Sequence, residues 1–210
     1  MDFEQLIESI EFTQSSLQQK ALSAVNQLAT IRNWLIGYYI VEFEQKGEER
    51  AKYGDKLLRT LSDELQKKKL RGFSFTNLKL FRQFYSTYPQ IGQPVADQLK
   101  TGNIKPMAEQ LDIQISQPVA DQSDAAVQIS GEKLLQHFSF RHFTELIKID
   151  SPLKRAFYEQ EAIKGNWSAR QLKRQIESLL IERVGLSKDK QALVKTVKNQ
   201  QAIENIEDTI

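Results

Sequence analysis

Apolar residues recur at alternating steps of three and four along residues 3 to 38: Phe3, Ile7, Ile10, Leu17, Ala21, Ala24, Leu28, Ile31, Leu35 and Tyr38, with Gln14 the one break. This is the a/d seam of a heptad pattern. It predicts one long helix, whole or interrupted near Thr13, with an end at "QKGEER", where Gly47 stops it. A core-facing helix of a bundle carries such a seam, and so does a dimerising hairpin or coiled coil. Ala21 and Ala24 permit close approach in either case. A second helix is expected across "DKLLRTLSDELQKKK", with Asp55 as N-cap and Leu57, Leu58, Leu61 and Leu65 as its buried stripe. Lys67, Lys68 and Lys69 suit the C-terminal end of its dipole. After the turn "LRG" a third helix starts within "GFSFTNLKLFRQFYSTYP" and stops at Pro89, which disfavours helical geometry at Tyr88.

From Gln93 to Ser130 the character changes. The hexapeptide "QPVADQ" occurs at 93–98 and again at 117–122, in a stretch rich in Gln, Asp and Ser and without aromatics. It reads as a duplication inside a flexible linker or insertion, with a short helix around Met107 to Leu111. Helical patterns then resume. They run through "GEKLLQHF", "FRHFTELIKI", "SPLKRAFYEQEAIKG" with Ser151 capping and Pro152 at the first helical position, and "SARQLKRQIESLLIERVG", closed by Gly185. A polar, weakly helical tail follows. No alternating strand pattern is present.

Three of these helices open with the same grammar: an aromatic residue, a Ser, and an apolar residue four positions after the Ser. The sets are Phe73, Ser74 and Leu78; Phe138, Ser139 and Phe143; and Trp167, Ser168 and Leu172. The Ser caps the helix, the third helical residue (Asn77, His142 or Gln171) can complete a capping box, and the flanking apolar pair forms a hydrophobic staple. A staple fixes the angle at which the chain enters a helix, as a helix-turn-helix reader of DNA requires. In the third helix Leu78, Phe81, Phe84, Tyr85 and Tyr88 form the apolar stripe, with Thr76, Lys79, Gln83 and Ser86 opposite. In the last helix Leu172, Ile176, Leu179 and Leu180 point inward and Arg170, Lys173, Arg174 and Glu177 outward.

Charge follows the same partition. Residues 1–50 hold four Lys/Arg against eight Asp/Glu, 51–92 nine against three, 93–130 two against five, and 131–210 fourteen against eleven. The cations concentrate where the stapled helices lie, which suggests a polyanionic partner; Lys-rich solvated helix faces give the same asymmetry. With 40% hydrophobic and 27% charged residues, and no apolar run of membrane-spanning length, a soluble cytoplasmic protein is expected. The acidic N-terminus is neither a secretory signal nor a transit peptide.

Catalytic chemistry finds little support. Cys is absent, which excludes disulfides and thiol catalysis. His137 and His142 lack a carboxylate cluster to complete a metal site. The aromatics of "NWLIGYYIVEF" read as core, and no phosphate-binding loop or nucleophile elbow occurs. Arg82, four residues after Leu78, can instead lie half-buried against a carboxylate, and Arg155, beside Phe157 and Tyr158, invites the same reading.

The segments "IRNWLIGYYIVEFEQKGEERAKYGDKLLRTLSDEL", "GFSFTNLKLFRQFYSTYP" and "FYEQEAIKGNWSARQLKRQIESLLIERV" resemble the N-terminal domain of YhcG-type PD-(D/E)XK nucleases, over about residues 17–92 and 131–186. The family's "GFS..NL" falls on Gly72, Phe73, Ser74, Asn77 and Leu78, and its "R.FY..YP" on Arg82, Phe84, Tyr85, Tyr88 and Pro89. Its "WS.R.L.RQI" falls on Trp167, Ser168, Arg170, Leu172, Arg174, Gln175 and Ile176. The middle motif departs, with Phe138-Ser139-Phe140 in place of Trp-Ser-His. The resemblance implies a helix-turn-helix domain preceding a Mg-dependent nuclease domain, which would begin beyond Ile210. Such a nuclease needs an Asp and an (Asp/Glu)-x-Lys on adjacent strands. The sequence offers only Glu44-Gln45-Lys46, on a predicted helix, preceded by Asp2 alone.

The expectation is an all-α chain of two small helical lobes: residues 1–92 with a long N-terminal helix and the first helix-turn-helix-like unit, and 131–186 with the second. A flexible central linker, 93–130, joins them, and a tail, 187–210, follows. The expected partner is duplex or branched DNA, met by Thr76, Asn77, Lys79, Arg82, Arg141, Arg170, Lys173 and Arg174, without cofactor, metal or catalytic centre. The competing expectation is a protein-interaction module, with homodimerisation through the first helix. The two roles are compatible, because a dimer presents two reading helices to symmetric half-sites.

Overall fold

The heptad seam folds as a single uninterrupted helix, α1, Phe3–Gln45. The computed structural model describes residues 2–45, 54–95, 129–178 and 180–183. No break falls near Thr13. Thr13 satisfies its hydroxyl by donating to the Ser9 carbonyl one turn back (2.7 Å), so it does not divert the backbone. At a rise of ~1.5 Å per residue α1 is about 64 Å long. It is covered unevenly: Thr30, Ile31, Asn33, Trp34, Gly37, Tyr38 and Ile40 are buried, and no described residue before Thr30 is.

α3 (Phe75–Thr87) packs along the covered half of α1, and α2 (Gly54–Lys67) packs on α3. Asp55 lies in the first turn of α2 rather than at its cap. Leu58 is fully buried, while Leu57, Leu61 and Leu65 are half-buried. Ile40, Leu58, Leu78 and Phe81 form a small cluster among the three helices. Close packing of α1 on α3 depends on Gly37, where a Cβ would overlap the Phe81 carbonyl. The turn between α2 and α3 uses two left-handed residues, Lys69 (φ 60°) and Gly72 (φ 92°). α3 ends as expected, with Tyr88 as its C-cap and a 3-10 turn at Pro89–Ile91.

The C-terminal half comprises α4 (Gly131–His137), α5 (Phe140–Leu146), α6 (Pro152–Lys164), α7 (Ala169–Glu177) and α8 (Leu180–Arg183). Ser151 caps α6 by accepting from the Lys154 N–H (3.4 Å). The expected last helix is broken at Ser178, the C-cap of α7. Beyond it the buried Ile181 donates its N–H to the Tyr158 hydroxyl (3.4 Å). Leu172 is buried as expected and Ile176 and Leu180 half-buried; Leu179, Gly185 and Gly47 lie outside the described residues, as do the Met107–Leu111 helix and the second "QPVADQ".

The stretches expected as two lobes contribute to one hydrophobic cluster, which joins Ile31, Trp34 and Tyr38 of α1 to Phe84, Phe143, Phe157 and Leu172. Phe143 packs on both Phe84 and Tyr88, with ring centroids 4.6 and 4.9 Å apart. Tyr88 is the knot. Its carbonyl accepts from the Trp34 indole N–H (2.9 Å), and its hydroxyl donates to the buried Glu159 carboxyl (2.7 Å). The Arg155 guanidinium lies over its ring at 5.8 Å. Val95 and Ile129, which flank the central segment, are both buried in the same cluster.

Candidate nucleic-acid interface

The start of α7 is held by several local ties. Ser168 accepts from the Gln171 N–H (3.3 Å), and the Gln171 side-chain carbonyl accepts from the Ser168 N–H (2.8 Å), which completes the capping box. Trp167 packs against the apolar cluster that contains the buried Leu172, its expected staple partner. Four residues, Gly165 to Ser168, separate α6 from α7, and Asn166 takes a left-handed conformation (φ 45°) in that turn. Few conformations satisfy a turn so short and so tied.

A further tie was not evident from local pattern. His142 completes the box of α5, its Nδ1 accepting from the Ser139 N–H (3.1 Å). With Nδ1 an acceptor the proton sits on Nε2, which donates to the Trp167 carbonyl (3.0 Å). Burial lowers the imidazole's pKa, holding it in this neutral form. One side chain thus bridges the starts of α5 and α7, and Phe138 staples Phe143 at 5.8 Å between centroids. The departure of the middle motif from Trp-Ser-His is therefore accommodated with cap and staple intact.

Against this framework Arg170, Lys173 and Arg174 are exposed on α7. With Ser168, Gln171 and Glu177 they line one surface depression. Lys173 lies 3.6 Å from Glu177, a pair exposed on both sides and so worth little to stability. Arg141 is exposed in the first turn of α5, the turn that His142 ties to Trp167.

The α3 residues gather elsewhere. Ser74 caps the helix, accepting from Asn77 N–H (3.3 Å), and the Asn77 amide donates to the Gly72 carbonyl (3.0 Å). Asn77 thus locks the turn. Thr76 and Lys79 are exposed. Arg82 is half-buried and donates to Glu44 of α1 (2.9 Å), the carboxylate pairing weighed for it from sequence. Lys79 and Arg82 border a depression shared with Val41, Glu44 and Gln83. Lys69 and Arg71, which sequence reading assigned to a helix end and a turn, border another beside Ser74. The cation run from Lys67 to Arg71 was the available signal for them.

Among the described residues, no group of three or more His, Cys, Asp or Glu is placed to hold a metal ion, and no helix is long and apolar enough to cross a membrane. Glu44, the acid of the one (Asp/Glu)-x-Lys, is the partner of Arg82.

Residues 9–117 and 120–183 match the DUF1016 N-terminal domain, and the chain belongs to that family. It is 32% identical over 200 residues to the Escherichia coli (strain K12) protein named "Putative nuclease YhcG", an alignment covering 92% of this chain and 49% of that protein. The chain thus spans about half the length of that relative. No solved structure gives a significant match.

Proposed function

We propose that this chain is a DNA-binding and targeting unit for a nuclease, without chemistry of its own, in which α6, its four-residue turn and α7 act as the helix-turn-helix reader. The observation that carries this reading is the α7 surface. Three cations, Arg170, Lys173 and Arg174, stand exposed on a helix whose orientation is fixed by a capping box, a staple and the His142–Trp167 bond. Lys and Arg on such a helix neutralise phosphates, and residues of its first turn, Arg170 foremost, lie nearest the base edges. Arg141 on the neighbouring first turn extends the cationic edge. Thr76, Asn77 and Lys79 of α3 form a secondary contact, with Arg82 held back by Glu44. The similarity to a protein named as a nuclease supports a nucleic-acid partner. A homodimer would present two α7 helices to paired half-sites.

Fluorescence anisotropy of labelled duplex and branched DNA, titrated from about 50 to 200 mM salt, tests this reading against an Arg170→Ala/Lys173→Ala/Arg174→Ala variant. Three lost phosphate contacts reduce the slope of log affinity against log salt by about 2.7. Absence of binding at the lowest salt, or a variant with an unchanged slope, overturns the proposal.

A further inference from the structure

We infer that the exposed half of α1 is an antiparallel pairing surface for a second copy of this chain. Residues 3–28 carry the larger part of the heptad seam, yet none of them is buried by the described residues. Phe3 is 77% exposed, Ile10 60%, Leu17 59% and Leu28 50%, and Leu6 and Val25 widen the stripe. The covered part of α1 begins at Thr30. An apolar strip of this length standing free in water is a surface awaiting a partner.

The sequence of the strip selects that partner. When two copies run antiparallel with residue numbers summing to 31, every seam position meets a seam position: Phe3 opposite Leu28, Ile7 opposite Ala24, Ile10 opposite Ala21, and Gln14 opposite Leu17. This is the a-against-d layering of an antiparallel coiled coil. In two of the layers a large residue faces an Ala, so the helices can approach closely. Gln14 of each copy falls beside the two-fold axis, where a polar a position fixes register.

Charge excludes the parallel alternative. Asp2, Glu4, Glu8 and Glu11 crowd one end of the strip, while residues 20–29 carry Lys20 and no carboxylate. Parallel pairing sets the two acidic ends side by side. Antiparallel pairing lays each against the partner's neutral-to-basic end. The overlap stops at residue 28, just short of the covered half of α1, which begins at Thr30. Six to eight half-exposed apolar side chains and their neighbours bury about 700 Å² per copy, close to the ~800 Å² per partner of a standard stable interface. This inference rests on α1 alone and not on the DNA-binding reading.

Because the chain has no Cys, cysteine cross-linking tests it on a clean background. Sedimentation equilibrium at ~100 µM is expected to give the dimer mass, and Ile7→Asp/Ile10→Asp, whose sites are both exposed, to give a folded monomer by circular dichroism. Mixed Ile10→Cys and Ala21→Cys chains are expected to cross-link under oxidation, and Ile10→Cys alone is not. A monomeric wild type overturns the inference and leaves the strip to a different protein or to residues 187–210. Self-cross-linking of Ile10→Cys without the mixed product also overturns it, as does a dimer that survives the double Asp substitution.

Discussion

Glu159 makes a pH experiment decisive for the packing that joins the two halves of the chain. Its carboxyl is buried and receives the Tyr88 hydroxyl at 2.7 Å. Burial pushes its pKa up from 4.5 to about 7, against the opposing pull of the Tyr88 hydrogen bond and the Arg155 charge. A carboxyl with its folded pKa above its unfolded one contributes fully below ~4.5, where it is neutral in both states, and that contribution is lost as pH rises through ~7. Moving from 4.5 to about 7 corresponds to about 3 kcal/mol, a sizeable share of the ~5–15 kcal/mol that holds a typical domain folded. For a chain of this length that is a Tm lower by roughly 6–12 °C at pH 8.5 than at pH 4.5 from this group alone. Glu159→Gln keeps a side-chain oxygen for Tyr88 and removes the titration. Thermal unfolding by circular dichroism at half-unit pH steps, wild type against Glu159→Gln, isolates the contribution as a difference. The variant's Tm is expected to gain on wild type as pH rises from 5 to 8. Two parallel profiles would refute the reasoning, because they would show that Glu159 does not titrate between folded and unfolded states in that window.

Four further outcomes follow from the geometry. His142 has its folded pKa lowered, so its contribution is whole above ~6.5 and declines as pH falls below; an imidazole NMR titration is expected to place its midpoint under 6.5. Gly37→Ala forces α1 from α3 and is expected to cost about 1–3 kcal/mol by urea denaturation, with an unchanged midpoint refuting the close approach. Ser168→Ala removes the cap of α7 and should cost ~1 kcal/mol in the same assay. Arg82→Ala, by breaking the half-buried pair with Glu44, is expected to lower stability while leaving DNA affinity within about twofold; a loss of affinity matching the α7 triple variant would place Arg82 on the DNA instead.

The parts of this fold that were legible in the sequence are those written over three or four residues. Ser74, Ser151 and Ser168 announce their helices because a cap acts on the N–H three positions on, and Phe138 announces Phe143 because a staple spans one turn. The apolar stripe of α3 was readable for the same reason. Contacts between distant residues were not. Trp34 and Tyr88 are 54 positions apart, Tyr88 and Glu159 71, and no local pattern records that an indole and a carboxyl share one residue. The α1 seam shows why periodicity alone cannot tell core from surface. It runs evenly from Phe3 to Tyr38, yet burial begins only at Thr30, since coverage depends on where other helices lie. In the candidate interface the cations of α7 were legible and the His142 brace was half so: its role in the Ser139 box could be read, its reach to Trp167 could not.

Val95 and Ile129 insert into the same apolar cluster, and Gly131 abuts the Gln90 carbonyl so closely that no Cβ fits between them. The polypeptide therefore leaves and rejoins the core at neighbouring points. Expressed as two separate peptides, 1–95 and 129–210, the halves should recognise one another and reassemble.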